Sequence, residues 1–454
     1  MNAEDVYKFL PITLQNVACS IEGWKLSRRR YNQEFREINK NLSKSAESCL
    51  AELERLRNIR IRTHVRFALQ CPFWVKRFKE YEINFSADNM EAELKKLPIL
   101  TKGEVQDQAD KIRNLTIEKD CLLSSHTSGT TGAGLIFWET QAAEKERWAV
   151  WWRYRGWHSI SQDMWCGYFG GRSVVPLKQS GPPFWRLNHP GRQIMFSGYH
   201  LSPKTVEDYF VALEKYAPPW LHGYPSLLSL LASYLLERGR PLRNCPRVIT
   251  TGAENLRPQQ RDLIEKAFGC PVRQHYGQAE SVANISECPV GHLHVDEDFS
   301  FVEFIPLNDQ LDVCKIVGTN WSNPAFPLIR YDTGDLARLS IEDSPCQLTG
   351  RVVRSIDGRN EDYVILPSGA RLGRLDHIFK DLTRIREAQI YQRVREVIVF
   401  RIVKREGYGP DDERRLLNEV RKRLGQDMTI KLEYVPSLER SRTGKLRFVV
   451  SEVS

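Results

Sequence analysis

A chain of 454 residues with 41% apolar content and 11 tryptophans exceeds what one compact core holds and predicts two or three folded domains. The formal charge of +9 is spread among acids along the whole chain, with no recognisable nucleic-acid module, so a surface suited to anionic metabolites is expected and a nucleic-acid partner is not. There is no apolar run long enough to span a membrane and no secretory-type start in Met1-Asn2-Ala3-Glu4-Asp5; the ten scattered cysteines read as reduced thiols, so the expected location is cytoplasmic.

In chain order, residues 1–70 predict helices, because long charged and apolar side chains alternate and glycine is scarce. An apolar segment with Phe9, Leu10, Ile12, Leu14 and Val17 leads into the basic run Lys25 to Arg30. Two readings stand for it: a peripheral contact with an anionic membrane, or a helix packed on the body. Thr101 caps a further helix, with Glu104 three residues on. From about 120 to 335 short apolar segments alternate with amphipathic ones. Val248 to Gly252 and Val272 to Gly277 predict strands ending in glycine turns, with a helix from Pro258 to Phe268 between them. That rhythm predicts a parallel sheet in an α/β body, with ligands at the C-terminal strand ends. After residue 358 the pattern changes to strands at Tyr363–Leu366 and Val397–Phe400, a charged helix from Asp411 to Leu424 and a final strand from Ile430 to Val435. This predicts a separate small α+β domain.

Several motifs punctuate this frame. Ser125-His126-Thr127-Ser128-Gly129-Thr130-Thr131-Gly132 is a hydroxyl- and glycine-rich loop that can offer N–H and O–H groups to a phosphate. It lacks the lysine of a P-loop, since Gly134 is followed by Leu135 and Ile136. Downstream stand Gly252-Ala253-Glu254, Tyr276-Gly277-Gln278-Ala279-Glu280, Tyr331-Asp332-Thr333-Gly334-Asp335, Gly358-Arg359-Asn360-Glu361-Asp362 and Ser441-Arg442-Thr443-Gly444-Lys445. In this order the motifs resemble the adenylate-forming superfamily of acyl-CoA synthetases, luciferases and peptide-synthetase adenylation domains.

The resemblance implies an N-terminal adenylation body, residues 1–358, whose helical segment runs to about 115, and a mobile C-terminal lid, 359–454, pivoting at Glu361. It implies that Thr127, Ser128, Gly129, Thr130, Thr131 and Gly132 clasp the β- and γ-phosphates of ATP. Gly252, Ala253 and Tyr276 would form the adenine slot, with His275 at the amino edge, and Glu254, Gly277 and Gln278 would belong to the same nucleotide site. Asp335 would accept the ribose hydroxyls, Arg359 would contact the nucleotide, Glu280 would hold Mg²⁺, and Lys445 would stabilise charge on the reacting carboxylate and α-phosphate. Three positions depart from the pattern: Gly134-Leu135 replaces a Pro-Lys pair, Ala279 replaces a threonine, and Glu361 replaces an aspartate or lysine.

Within the superfamily the chain resembles the phenylacetate-CoA ligase-like branch and its CapK group, associated with capsular polysaccharide biosynthesis. The matching features are Leu10-Pro11 with Leu14-Gln15-Asn16, Arg28-Arg29-Arg30-Tyr31, Leu97 to Lys102, Phe169-Gly170-Gly171-Arg172 and Gly223-Tyr224-Pro225-Ser226. The resemblance implies an acyl pocket from Phe169, Gly170, Arg172, His222, Gly223 and Tyr224, with a small-molecule carboxylate as substrate and a homodimer as the commonest assembly. CoA, an amine or a hydroxyl stand as acceptors, and a catalytically silent binding relative is the rival class. Separately, Cys288, His292 and His294 form a candidate structural zinc cluster, with Cys270, Cys314 or His275 as fourth ligand. The competing reading is a reduced thiol beside packed histidines.

Overall fold

The computed structural model describes residues 6–126, 135–307, 310–340, 346–357, 363–369, 371–372, 375–379, 382, 384–404, 406–436, 438 and 449–453. The first third is helical as expected: α1 (Ile12–Arg30), α2 (Gln33–Ser45), α3 (Leu50–Ala68), α4 (Pro72–Glu80), α5 (Met90–Leu94) and α6 (Lys102–Ile112). Side-chain caps start several of them: Asn32 accepts from the N–H of Phe35 at 3.1 Å, and Thr101 from that of Glu104 at 3.3 Å.

Two residues of the predicted basic run are committed inside the fold, while Lys25 and Arg28 stay exposed. Arg29 and Arg30 both reach the buried Glu144 carboxylate, at 2.7 and 2.8 Å, and Arg30 lies 4.4 Å over the Trp148 ring. Burial opposes the Glu144 charge, yet the two arginines hold that carboxyl below its ordinary value. On the same helix, Gln15 accepts from the buried Arg186 at 2.6 Å and Asn16 from the N–H of Leu187 at 2.9 Å. Helix α1 is thus packed on the body along one face, while Leu14, Val17, Ile21 and Trp24 on its other side stay exposed.

The strands β1 (Leu123–His126) and β2 (Ile136–Glu139) form an antiparallel hairpin, and α7 (Gln141–Trp157) follows. Next come β3 (Cys166–Gly170), β4 (Trp185–Asn188), β5 (Gln193–Ser197), α8 (Val206–Tyr216), β6 (Trp220–Gly223), α9 (Pro225–Glu237), β7 (Val248–Gly252), α10 (Pro258–Phe268) and β8 (Val272–Gly277). The antiparallel set is β9 (Asn284–Glu287), β10 (Leu293–Val295), β11 (Phe301–Leu307), β12 (Gln310–Thr319), β13 (Tyr331–Leu339) and β14 (Val352–Asp357). All but the hairpin join one 12-stranded sheet in the order β11-β12-β13-β14-β10-β9-β8-β7-β6-β3-β5-β4. The run β5-β3-β6-β7-β8 is parallel, as the strand–helix rhythm predicts.

The parallel run is covered on both faces. One face packs Phe169, Phe196, Leu221, Ile249 and Val272 against α8, α9 and α10. The antiparallel half curls around its own core of Ala283, Ile285, Leu293, Ile316, Ala337 and Val353. Its curvature brings backbones so close that a Cβ on Gly318 would fall 2.0 Å from the Val282 carbonyl oxygen, which only glycine permits.

The C-terminal part contains β15 (Val364–Ile365), β16 (Arg371–Leu372), β17 (Ile385–Val394), β18 (Val397–Lys404), α11 (Pro410–Leu424), β19 (Thr429–Tyr434) and β20 (Val449–Ser451). A four-stranded sheet, β19-β18-β17-β20, and α11 share the core of Phe379, Ile390, Phe400, Leu416 and Val420. Strand β19 is not the last one as expected from sequence: β20 follows, pairing parallel with β17. Its three residues are too short to carry a periodic signal.

Candidate active site

Two sequence motifs meet at the edge between the sheet halves. The Tyr276 hydroxyl donates to the Asp335 carboxylate at 2.9 Å, and the Gln278 amide contacts the Tyr276 hydroxyl and reaches the same carboxylate oxygen at 3.4 Å. Strands β8 and β13 are separated in the sheet by β9, β10 and β14, so the contact depends on the curl of the antiparallel half. Asp335 is held by its own turn: its N–H donates to the Thr333 hydroxyl at 3.1 Å, and the Gly334 N–H to Asp332 at 2.8 Å.

Glu280 lies on the turn after β8 and is nearly buried. It accepts from the Tyr331 hydroxyl at 3.4 Å and has no salt bridge among the described residues. A buried carboxylate without a paired cation is a hard oxygen donor that fits a divalent ion.

Backbone strain gathers here. Ala253, Ser281 and Arg330 have φ of 70°, 58° and 56°, a region that non-glycine residues avoid. Each lies in or beside a motif: Ala253 is the middle of Gly252-Ala253-Glu254, Ser281 follows Glu280, and Arg330 precedes Tyr331. Tertiary contacts hold the last of these. Arg330 pairs with Glu303 at 3.1 Å, its carbonyl accepts from Leu100 at 2.8 Å, and Asp332 donates to the Leu100 carbonyl at 2.9 Å. The Leu97 to Lys102 motif therefore braces the strand that carries Asp335. Glu254 accepts from the N–H of Ser226 at 3.1 Å, so this expected nucleotide residue caps the N-terminus of α9.

The phosphate-loop candidates Thr127, Ser128, Gly129, Thr130, Thr131 and Gly132 lie outside the described residues, but the hairpin that bears them is anchored. Ser125 donates to Glu139 at 2.6 Å, Arg147 donates to Glu139 at 2.9 Å, and Arg147 also donates to the Ala279 carbonyl at 2.8 Å. This relay ties β1 and β2 to the turn between Tyr276 and Glu280. Sequence reading missed Arg147 and Glu139, which stand on a helix and a strand with no motif around them. Arg359, Glu361 and Lys445 also lie outside the described residues. Strand β14 ends at Asp357 opposite Leu336, the neighbour of Asp335, and β20 begins at Val449.

Gly277 and Gly252 lie at the ends of their strands. His275 and His222 share the face of the parallel sheet covered by α7. The His275 ring contacts Trp151 at 4.7 Å and Tyr154 at 5.2 Å, and His222 Nδ1 pairs with the Thr250 hydroxyl at 2.8 Å. Between them Arg155 sits buried among Trp152, Trp220, Trp151 and Trp148, 4.7 to 6.0 Å from the ring centres. Burial, helped by the Arg155 charge, pushes both histidines down to about 3. Both rings are therefore neutral near physiological pH and offer no positive charge to a phosphate.

Of the expected acyl residues, Phe169 is fully buried and stacked on Phe196 at 4.5 Å, so its side chain belongs to the core. Gly223 packs directly on it: a Cβ there would fall 2.4 Å from the Phe169 carbonyl oxygen, which accepts from the N–H of Tyr224 at 2.9 Å. Gly170 lies against the Tyr168 ring, and Tyr199 donates to the Gly171 carbonyl at 3.1 Å. Arg172 is exposed.

Cys288, His292, His294 and Cys346 place one ligand atom each within 4.8 Å of one another. The fourth member is Cys346 rather than the expected Cys270, Cys314 or His275. Cys270 packs in the parallel-sheet core, Cys314 lies on β12 and His275 faces α7, whereas the β10–β14 pairing brings Cys346 from 52 residues away to His294.

The C-terminal part, residues 367–452, matches the family model of the CapK C-terminal domain. Over 99% of both chains the sequence is 28% identical to Protein CapK of Staphylococcus aureus. Among solved structures, the chain is similar to 2-hydroxyisobutyryl-CoA ligase in complex with 2-HIB-AMP and CoA in the thioesterification state. That match has a TM-score of 0.57 and 19% identity and covers 90% of this chain and 91% of that one. The same ligase in its postadenylation state matches with a TM-score of 0.56 and 17% identity over 90% and 91%.

Proposed function

We propose that this chain, a full-length homologue of CapK with the CapK C-terminal domain and the fold of adenylate-forming CoA ligases, activates a carboxylate with ATP and passes the acyl group to coenzyme A. The observation that carries the reading is the bond between Tyr276 and Asp335 beside the buried Glu280. Tyr276 and Asp335, to which the family resemblance gives roles at one nucleotide, meet from two halves of the sheet, and Glu280 follows on the turn after β8.

In this reading Tyr276 offers its ring to adenine, and Asp335, oriented by Tyr276 and Gln278, accepts from the ribose hydroxyls. A carboxylate oxygen of the substrate attacks the α-phosphorus. The bond to the bridging oxygen breaks and pyrophosphate leaves. Lys445 stabilises the charge that builds on the equatorial oxygens, and the loop from Thr127 to Gly132 binds the departing phosphates. Glu280 would hold Mg²⁺, whose charge would neutralise the β- and γ-phosphates. In the second half-reaction a thiolate attacks the acyl carbon, the carbon–oxygen bond to phosphate breaks, and AMP leaves. The lid movement that exchanges Lys445 for the acceptor pivots near Glu361.

Pyrophosphate exchange into ATP tests the first step. A panel of carboxylates is expected to contain acids that drive exchange, and Lys445→Ala is expected to abolish it while ATP still binds. Unchanged exchange in that variant rejects the lysine's role. Absence of exchange and of AMP release across the panel rejects the enzymatic reading in favour of a binding-only homologue. AMP release that requires CoA supports the thiol acceptor, and release with amines or hydroxyl compounds in its absence replaces it.

A further inference from the structure

The large sheet has one weak join. Strand β10 pairs with β14 over two residues only, Leu293 with Val353 and His294 with Val352. This join connects the strands leading from Tyr276 to those carrying Asp335. Four metal-ligand side chains stand across it. Cys288 and His292 come from the turn between β9 and β10, His294 from β10 itself, and Cys346 from the segment that runs into β14.

We propose that Cys288, His292, His294 and Cys346 bind one structural zinc ion that clamps this join. The donor set, two thiols and two imidazoles, is that of closed four-coordinate zinc sites. Zinc bonds of about 2.3 Å to sulfur and about 2.0 Å to nitrogen set ligand atoms about 3.3–3.8 Å apart at the corners of a tetrahedron. The four atoms already lie within 4.8 Å of one another, and Cys346 Sγ is 3.0 Å from His294 Nε2. Small side-chain rotations therefore close the site.

The surrounding backbone is arranged for a thiolate. The chain reverses at Gly291, whose φ is 96°. Cys288 donates its N–H to the His292 carbonyl at 2.8 Å, and His292 returns its own N–H to the Cys288 sulfur at 3.3 Å. An N–H aimed at the sulfur is the outer-shell contact that orients a metal-bound cysteine. Cys288 and His294 are buried, while His292 and Cys346 are partly open to solvent, which gives the ion a way in. The clamp takes no part in the proposed reaction, and its test does not depend on that reaction.

Metal analysis of the full chain, purified under reducing conditions without chelator, is expected to find one zinc per chain. Cys346→Ser and Cys288→Ser are expected to lower that to below about a tenth of an equivalent. The exposed Cys121→Ser keeps it, and Cys346→His restores it through a nitrogen donor. Cobalt added to the chelated protein is expected to give a tetrahedral spectrum with a thiolate charge-transfer band, and chelation to lower the melting temperature. Three results overturn the proposal: wild-type protein without zinc that fails to bind cobalt, zinc content unchanged in Cys346→Ser, or a Cys288–Cys346 disulfide in metal-free protein of undiminished melting temperature. The cobalt titration of the wild type keeps the test decisive where a variant fails to fold.

Discussion

The parallel and antiparallel halves of the sheet contribute to the candidate site in different ways. The parallel half, β5-β3-β6-β7-β8, presents turns at strand ends: Gly170, Gly223 and Gly277 are the last residues of β3, β6 and β8, and Ala253 directly follows β7. Its residues are placed by local chain geometry over a deep apolar core. The antiparallel half contributes Asp335 from within a strand, and only its curl carries that residue to Tyr276. One half therefore invests its sequence in burial, the other in long-range closure. The consequence is that damage to the buried core of the first should be read in stability, and damage to the pair that joins its end to the second in binding.

The largest expected effect tests the first part of that contrast. Phe169→Ala should destabilise the chain by about 3–5 kcal/mol, because it empties a fully buried, stacked position. Urea unfolding measures it, and a loss below about 1 kcal/mol would show that the parallel core is not the anchor described. Asp335→Ala should leave the unfolding midpoint nearly unchanged while weakening ATP binding about ten- to hundredfold, as expected for removing a carboxylate acceptor. Calorimetric titration with ATP distinguishes the two, and an unfolded variant with wild-type-like affinity in the remaining folded fraction would reverse the contrast.

The histidines of the parallel half give a pH signature. His222 and His275 have native values near 3, below the ordinary 6.5, so the unfolded chain binds protons that the native chain refuses. Stability should be fully present above pH 6.5 and fall as the pH drops toward 3, by about 1.4 kcal/mol per pH unit for each histidine. His275→Asn should flatten part of that slope between neutral pH and about pH 5 in urea midpoints. An unchanged slope would exclude this ring as a contributor. The smallest effect is expected from Tyr276→Phe. It keeps the ring and loses one hydrogen bond to Asp335, which should weaken ATP binding about three- to tenfold.

Most elements were legible in the sequence where periodicity and punctuation coincide. The helix from Pro258 to Phe268 starts at a proline and ends at Gly269, and it lies where the sequence puts it. Strands β7 and β8 are uniform enough in composition to be seen, whereas β10 and β20, of three residues each, carry no period at all. The site was legible as motifs but not as partners. Glu254 reads as a nucleotide residue yet caps α9, Phe169 reads as pocket lining yet packs in the core, and Arg147 reads as nothing yet joins the loop-bearing hairpin to Ala279.

The amino-acid sequence by itself determined the class of fold, the succession of strand-end turns and three of the four residues of the candidate metal cluster. These are local properties: glycine where φ must be positive or space is absent, hydroxyls where a helix needs a cap, apolar residues at the period of the element that buries them. Tertiary structure alone decided that Tyr276 donates to Asp335, that Arg29 and Arg30 turn inward to Glu144, and that Cys346 stands beside His294. The second depends on how helices α1 and α7 dock, and the first and last on how far the sheet twists and curls. That curvature is the sum of many strand pairings, and no short window of residues encodes it.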